Sequence, residues 1–394
     1  MTKQTSATPE YRPFLTRIEA LRGLCVLAVA GYHLASCKLN GVALFPYSPW
    51  EPASPIQHAI GRAALVLVPG HAAAVMFFVI SGYVLRLSLA FGPQSFGLVT
   101  WTFVIRRLFR IYPMVFAGTI VFLVLTHWHL IKPKAESIEA LGLRKIVANF
   151  LLLDISVNNT LWTLQVEMLM IPFILLFYFL ERRFGIRPLV GIALATTALS
   201  FHGGWAFYGP LSHYFFAFAL GMLIPTVGRD LFRQASQATV RRSVIVAVLA
   251  LVLPGVFFGL YSRFSTIIQA YGATILISIL SFRNDVSGLR VLDTWGVRKL
   301  GLISGSYYVL QLALFPFVLL VLEALIPASW SLQAPFLLGL ILVPVCLLAI
   351  APVMWLSYRA IEAPGTALGH RIARKPGVKT VVVSGSTVLD PGPP

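Results

Sequence analysis

The sequence predicts an all-α fold: a polytopic membrane helical bundle with about ten transmembrane helices. Composition is the first observation behind this. Of 394 residues, 58% are hydrophobic and only 11% charged, and mean hydropathy is +0.82. A soluble domain carries roughly 25% charged residues, so there are too few polar side chains here to cover a water-facing surface. The second observation is that the apolar residues fall into repeated blocks near the ~20 residues that cross a bilayer. The third is the alternation of charge between those blocks.

Ten spans are placed at residues 18–37, 71–91, 112–130, 161–180, 188–203, 208–226, 243–260, 266–282, 300–325 and 335–357. Several contain proline (Pro172, Pro225, Pro254, Pro316, Pro344), which membrane helices tolerate when neighbours satisfy the freed carbonyls. With the N-terminus in the cytoplasm, this layout puts 23 of the 31 Lys and Arg residues on the cytoplasmic side and 7 on the outer side; Arg22, at the start of the first span, is the remaining one. Cytoplasmic loops of membrane proteins carry such an excess. A wrong number of spans would scramble the alternation, so span count and orientation support each other. The chain is expected to be a multi-pass protein of the cell's inner membrane with both termini in the cytoplasm. Trp128, Trp162, Trp205 and Trp330 fall at outer span ends, and Trp101, Trp295 and Trp355 at or near inner ones, as an interfacial aromatic belt requires.

One membrane domain, residues 1–364, is followed by a polar, Gly- and Pro-rich tail, residues 365–394, expected to be disordered and cytoplasmic. Two long outer segments, about 38–70 and 131–160, are placed to shape an entrance. No inverted repeat of the kind common in transporters is visible. The first apolar block has no small-residue cleavage pattern and is read as a retained helix. The net charge of +17 does not indicate nucleic acid, because the cations sit between apolar blocks and not along one soluble face. Cys25, Cys37 and Cys346 have neither disulfide-framework nor zinc-ligand spacing, and no metal is expected.

An ionisable residue inside a span is costly and marks a functional hypothesis. In the first span Glu19, Arg22, Val26 and His33 form one stripe; Arg22 and His33 are separated by about 16 Å along the axis. Arg22 lies at the cytoplasmic end and His33 in the outer part. The alternative for His33 is a core histidine bonded to a neighbouring helix. The fourth span begins Leu161-Trp-Thr-Leu-Gln-Val-Glu167 and enters from outside, which places Glu167 about 9 Å deep, similar to His33. Such a pair suits general-base chemistry; the alternative for Glu167 is a helix-packing ion pair with an arginine. The second span carries Phe77-Phe-Val-Ile-Ser-Gly-Tyr83. Ser81 falls near the midplane, and its Ser-Gly pair also suits close helix approach. Between the second and third spans, Arg106-Arg-Leu-Phe-Arg-Ile-Tyr-Pro113 puts Arg106 with Arg110, and Arg107 with Arg110, on shared helical faces. Such a cluster can grip phosphates bidentately; the alternative is topology-setting charge with anionic-lipid contact.

The order of these motifs, closed by Tyr358-Arg-Ala-Ile-Glu-Ala-Pro364, resembles the acyltransferase 3 family of membrane O-acyltransferases over about residues 17–364. Many members continue a late Ser-Tyr motif into a tyrosine and a histidine. Here Gly305-Ser-Tyr-Tyr-Val-Leu-Gln-Leu-Ala313 has the start and lacks the histidine, and the periplasmic esterase-like domain that some members have is not expected here. The resemblance implies a cytoplasmic acyl-CoA donor, usually acetyl-CoA, entering as substrate and not as a permanently bound cofactor. It also implies a hydroxyl acceptor on a sugar, glycolipid or small molecule.

The expected activity is therefore O-acetyl transfer to an exported or envelope carbohydrate. Arg107 and Arg110, with Arg22, hold the donor phosphates; His33 is the general base; Glu167 orients His33 or the acceptor. Ser81, Tyr83 and Trp162 line the passage, and Glu362 fixes the arginine-rich inner face. Membrane lipids are the remaining partners. The rival reading is a transporter or flippase of a glycan or lipid precursor, and a scaffold without chemistry is a third.

Overall fold

The computed structural model describes residues 12–45, 54–64, 66, 68–90, 95–128, 138–202, 206 and 208–373. Nine helices among them are long and apolar enough to cross a membrane, and a tenth, shorter apolar helix lies between the fourth and fifth of these. In chain order they are α1 (Arg12–Ala35), α2 (Gly70–Ala90), α3 (Phe96–His127), α4 (Asn159–Phe184), α5 (Arg187–Ser200), α6 (Gly209–Phe232), α7 (Gln237–Phe257), α8 (Arg263–Phe282), α9 (Ser304–Leu325) and α10 (Pro335–Ile372). The ten match the ten predicted spans in order. Among the described residues the sole β structure is a two-residue hairpin pairing Lys38–Leu39 with Val42–Ala43.

Large apolar side chains point outward on the peripheral helices. On α10, Leu348 is 73% exposed and Leu356 66%; on α7, Ile245, Val246, Val248 and Leu249 all face out. A water-facing helix would show polar residues there; these surfaces belong against lipid. Inside, α1 separates two apolar cores. Its Leu21, Cys25 and Val29 pack with α2, α4, α6 and α8, while Val26, Ala30 and Leu34 pack with α3, α9 and α10. The helix that carries Arg22 and His33 thus runs through the middle of the bundle, and both residues are withheld from lipid.

Close approach of α2 and α6 rests on reciprocal glycines. A Cβ on Gly82 would land on the carbonyl of Phe218, and one on Gly221 on the carbonyl of Val79. Small residues allow such contact between membrane helices. The Ser-Gly pair of α2 therefore does what the packing reading expected of its glycine.

Three features differ from the sequence expectation. The third helix is not confined to residues 112–130: α3 is 32 residues long and holds the whole arginine motif, with Pro113 inside it. Second, α4 is interrupted at Met170, between Trp162–Leu169 and Ile171–Phe184. Third, α10 continues past residue 364, through a π-turn at Tyr358–Glu362, to Ile372. Packing explains the last. Gly365 sits against the Pro113 ring and Gly369 against Phe109, both on α3, so the first residues of the expected tail are held as helix. The rest of that tail, from residue 374, lies outside the described residues, as do Trp205, Lys132 and Lys134.

Candidate functional site

A cavity opens among α1, α2, α3, α4, α9 and α10. Its polar lining comes from Arg22 on α1, Ser81 on α2, Arg107 and Arg110 on α3, Glu167 on α4 and Glu362 on α10. Helical spacing places Arg107 and Arg110 on one face of α3. Arg22 stands within electrostatic reach of Arg107, Arg110, Glu19 and Glu362. Three guanidinium groups and three carboxylates are thus gathered inside the bundle.

The carboxylates have defined partners. Glu167 forms an ion pair with Arg107, and its Oε1 accepts a hydrogen bond from Ser81 Oγ at 2.9 Å. The side chains of Arg107 and Glu167 are 8% and 14% exposed, so water screens this pair weakly. Glu362 Oε2 accepts from the backbone N–H of Ser306 at 2.9 Å and from Ser306 Oγ at 2.8 Å. Gly305 makes room for that carboxylate, since a Cβ there would fall on Glu362. The π-turn that ends at Glu362 adds a residue to the helical turn, a device that often re-aims side chains at functional sites. Arg107 still has a buried Nε without a hydrogen-bond partner, which leaves donor capacity for an anion.

A second cavity holds His33. Ser156, Asn159, Thr160, Trp162 and Gln311 line it. Trp162 forms one wall and is backed by Phe78 and Tyr214, with ring centroids 5.7 and 5.4 Å away. Tyr308 lines both cavities. Its ring packs edge-on to Phe77 at 6.1 Å, and its hydroxyl is hydrogen-bonded to the Thr163 side chain. The two cavities therefore lie in series along α1, with Arg22 in one, His33 in the other and the Tyr308 ring between.

The structure brings together most of the predicted site. Arg22, Arg107, Arg110, Ser81 and Glu167 share the arginine cavity, and His33 and Trp162 share the second. Two expectations are corrected. Glu167 does not pair with His33. Similar depth along the two spans is not contact: the carboxylate turns toward α3 and meets Arg107, the ion-pair alternative. Tyr83 does not join Ser81 on the passage. The two residues are about 200° apart around α2, and Tyr83 lines a separate pocket with Arg86, Pro225, Arg229 and Phe282.

Ser306, Tyr308 and Gln311 do not stand out in the sequence. All three lie on α9, whose apolar residues surround it on every side, so periodicity marks no functional face. The Gly305-Ser306 start of the late motif is the one available signal.

Fold and site together define a multi-pass membrane protein with a charged cavity and an uncharged polar cavity in tandem inside its helices. The sequence comparison gives that class a family. A family model described as an acyltransferase domain matches residues 15–357, and the chain belongs to this acyltransferase 3 family. No curated protein and no solved structure matches it.

Proposed function

We propose that the protein moves an acetyl group from cytoplasmic acetyl-CoA to a hydroxyl of an exported or envelope carbohydrate. The arginine cavity takes the anionic donor from the cytoplasmic side of the inner membrane, and the His33 cavity takes the acceptor from the other. The observation that carries this reading is the series arrangement: cations in one cavity, a histidine among hydroxyl and amide groups in the next, and one tyrosine ring shared by both.

Each residue then has a physical task. Arg110 and Arg22 supply fixed donors to phosphate oxygens, and the spare N–H of Arg107 adds another; the planar guanidinium suits bidentate contact. Glu167 and Ser81 hold Arg107 in place. His33 accepts the proton of the acceptor hydroxyl as its oxygen attacks the thioester carbonyl. The tetrahedral intermediate collapses by breaking the C–S bond, the proton returns from the imidazolium to the departing CoA sulfur, and free CoA and an O-acetyl ester remain. A hydroxyl is almost wholly protonated near neutral pH, so a neutral imidazole that takes its proton as the oxygen attacks does useful work there.

The test uses purified protein, acetyl-CoA and an acceptor glycan, read by free CoA. Acceptor-dependent CoA release is expected, and a transporter or flippase would give none. His33→Ala is expected to lower the rate by about 10²–10⁴ with protein yield and melting behaviour retained. Undiminished turnover by a folded His33→Ala variant rejects the assignment of the base.

A further inference from the structure

The His33 cavity also carries information about what it accepts. Among the described residues, its lining contains no Asp, Glu, Lys or Arg. Every formal charge of the tandem site sits on the far side of Tyr308, in the arginine cavity. A carboxylate, phosphate or ammonium group entering the His33 cavity would leave water and meet no counter-charge, which is strongly unfavourable.

The wall is polar in a specific way. Gln311, on α9, is 1% exposed, and its amide oxygen has no hydrogen-bond partner. Ser156, from the segment before α4, contributes a buried hydroxyl oxygen that is likewise without a partner. Both residues line this cavity. Buried polar atoms are ordinarily satisfied, and each exception calls for a reason. Two such oxygens belong to residues from different parts of the chain that line one cavity with His33 and Trp162, and a ligand that brings O–H groups would satisfy them once these side chains turn to meet it.

We propose that the acceptor unit is an uncharged glycosyl residue and that Gln311 is a specificity-determining residue, accepting a hydrogen bond from a hydroxyl next to the one acylated. This rests on the acyl-transfer reading above and narrows its acceptor to a neutral sugar. Gln311 acts by holding the acceptor and takes no proton itself.

The experiment uses full-length protein in lipid nanodiscs with acetyl-CoA and three matched series of methyl glycosides. One series is neutral hexosides, the second the corresponding uronides, the third the amino sugars with a free ammonium group. CoA release and the mass of the acetylated product are read together, and donor binding is measured separately by thermal shift with CoA. Neutral glycosides are expected to exceed the uronides and amino sugars by at least about 100-fold in kcat/KM, since the charged analogues would be buried unpaired. Gln311→Leu is expected to raise KM for the neutral acceptor about tenfold and to leave KM for acetyl-CoA unchanged. A merely structural role would not divide the two substrates in this way. Gln311→Glu keeps the size of the side chain and adds a negative charge, so it should move preference toward the amino sugar.

A uronide or amino sugar used as well as its neutral counterpart overturns the proposal. So does an unchanged acceptor KM in a folded Gln311→Leu protein, or a Gln311→Glu protein with no gain on the amino sugar. Stabilisation by CoA without acylation of any neutral glycoside overturns it too, while leaving acyl transfer standing. Absence of both CoA binding and turnover rejects the parent reading and this proposal together.

Discussion

Replacing Glu167 by Gln removes one charge and almost no volume. The amide oxygen of the new side chain would still accept from the Ser81 hydroxyl, so the hydrogen bond at 2.9 Å survives, but Arg107 loses its counter-ion. Both side chains are at most 14% exposed. Removing one partner of so buried a pair costs about 3–5 kcal/mol, chiefly the penalty of an uncompensated buried cation. The lower end applies here, because the amide oxygen still faces the guanidinium. Removing both charges, as in Glu167→Gln with Arg107→Met, should recover about 2 kcal/mol of that loss, a coupling typical of contacting residues.

The buried thiols of Cys25 and Cys346 provide the assay, since a thiol-reactive dye labels them only as the bundle opens on heating. The variant is expected to melt well below wild type. CoA should then stabilise it more than it stabilises wild type, because phosphate no longer competes with Glu167 for Arg107. A tenfold gain in affinity at saturating CoA adds about 1.4 kcal/mol. A Glu167→Gln protein that melts with wild type would refute the anchoring role of the pair. A CoA shift no larger than wild type's would refute the competition for Arg107.

Two further outcomes follow from packing and charge. Gly221→Val forces a side chain onto the Val79 carbonyl and should part α2 from α6, costing ~3 kcal/mol or more; size-exclusion chromatography should show less monodisperse protein, and a normal yield with a normal melt would contradict the contact. At the membrane edge, Arg17 donates to Asp293 at 2.5 and 2.9 Å, and this hydrogen bonding holds the Asp293 carboxyl below its ordinary value of 3.8. A lowered native pKa contributes stability that is fully present above the ordinary carboxylate range and is lost as pH falls through the native value. Asp293 is 31% exposed, so solvent screening limits the contribution to less than about 1 kcal/mol. Asp293→Asn should therefore melt slightly lower at pH 7, and the gap should narrow as pH falls below the ordinary carboxylate range; a gap unchanged by acid would exclude the linkage.

Much of the architecture is legible in the sequence because a bilayer imposes strict rules. Span length, the alternation of Arg and Lys, and the cost of a buried charge act locally on the chain, and they locate the helices, the arginine motif and Glu167. Partners across space are less legible. Depth alone matches Glu167 with His33, and depth says nothing about which way a side chain points around its helix. Tyr83 shows the opposite case: two residues from Ser81 on a helix, it must face elsewhere, and the spacing already carries that signal. Tyr308 and Gln311 are invisible for a simpler reason. On a helix enclosed by apolar neighbours, a tyrosine or glutamine gains meaning only from the cavity beside it, and cavities are made by residues distant in sequence.

The shortest of the ten helices has a consequence for the surrounding lipid. α5 has fourteen residues and so rises about 21 Å, against a hydrocarbon thickness of ~30 Å. If α5 crosses, the acyl chains along that flank must compress or the polar headgroups must dip toward its ends, and the strain grows with every added ångström of lipid length. The protein should accordingly be most stable in short-chain bilayers, and thick, sterol-stiffened ones should exclude it.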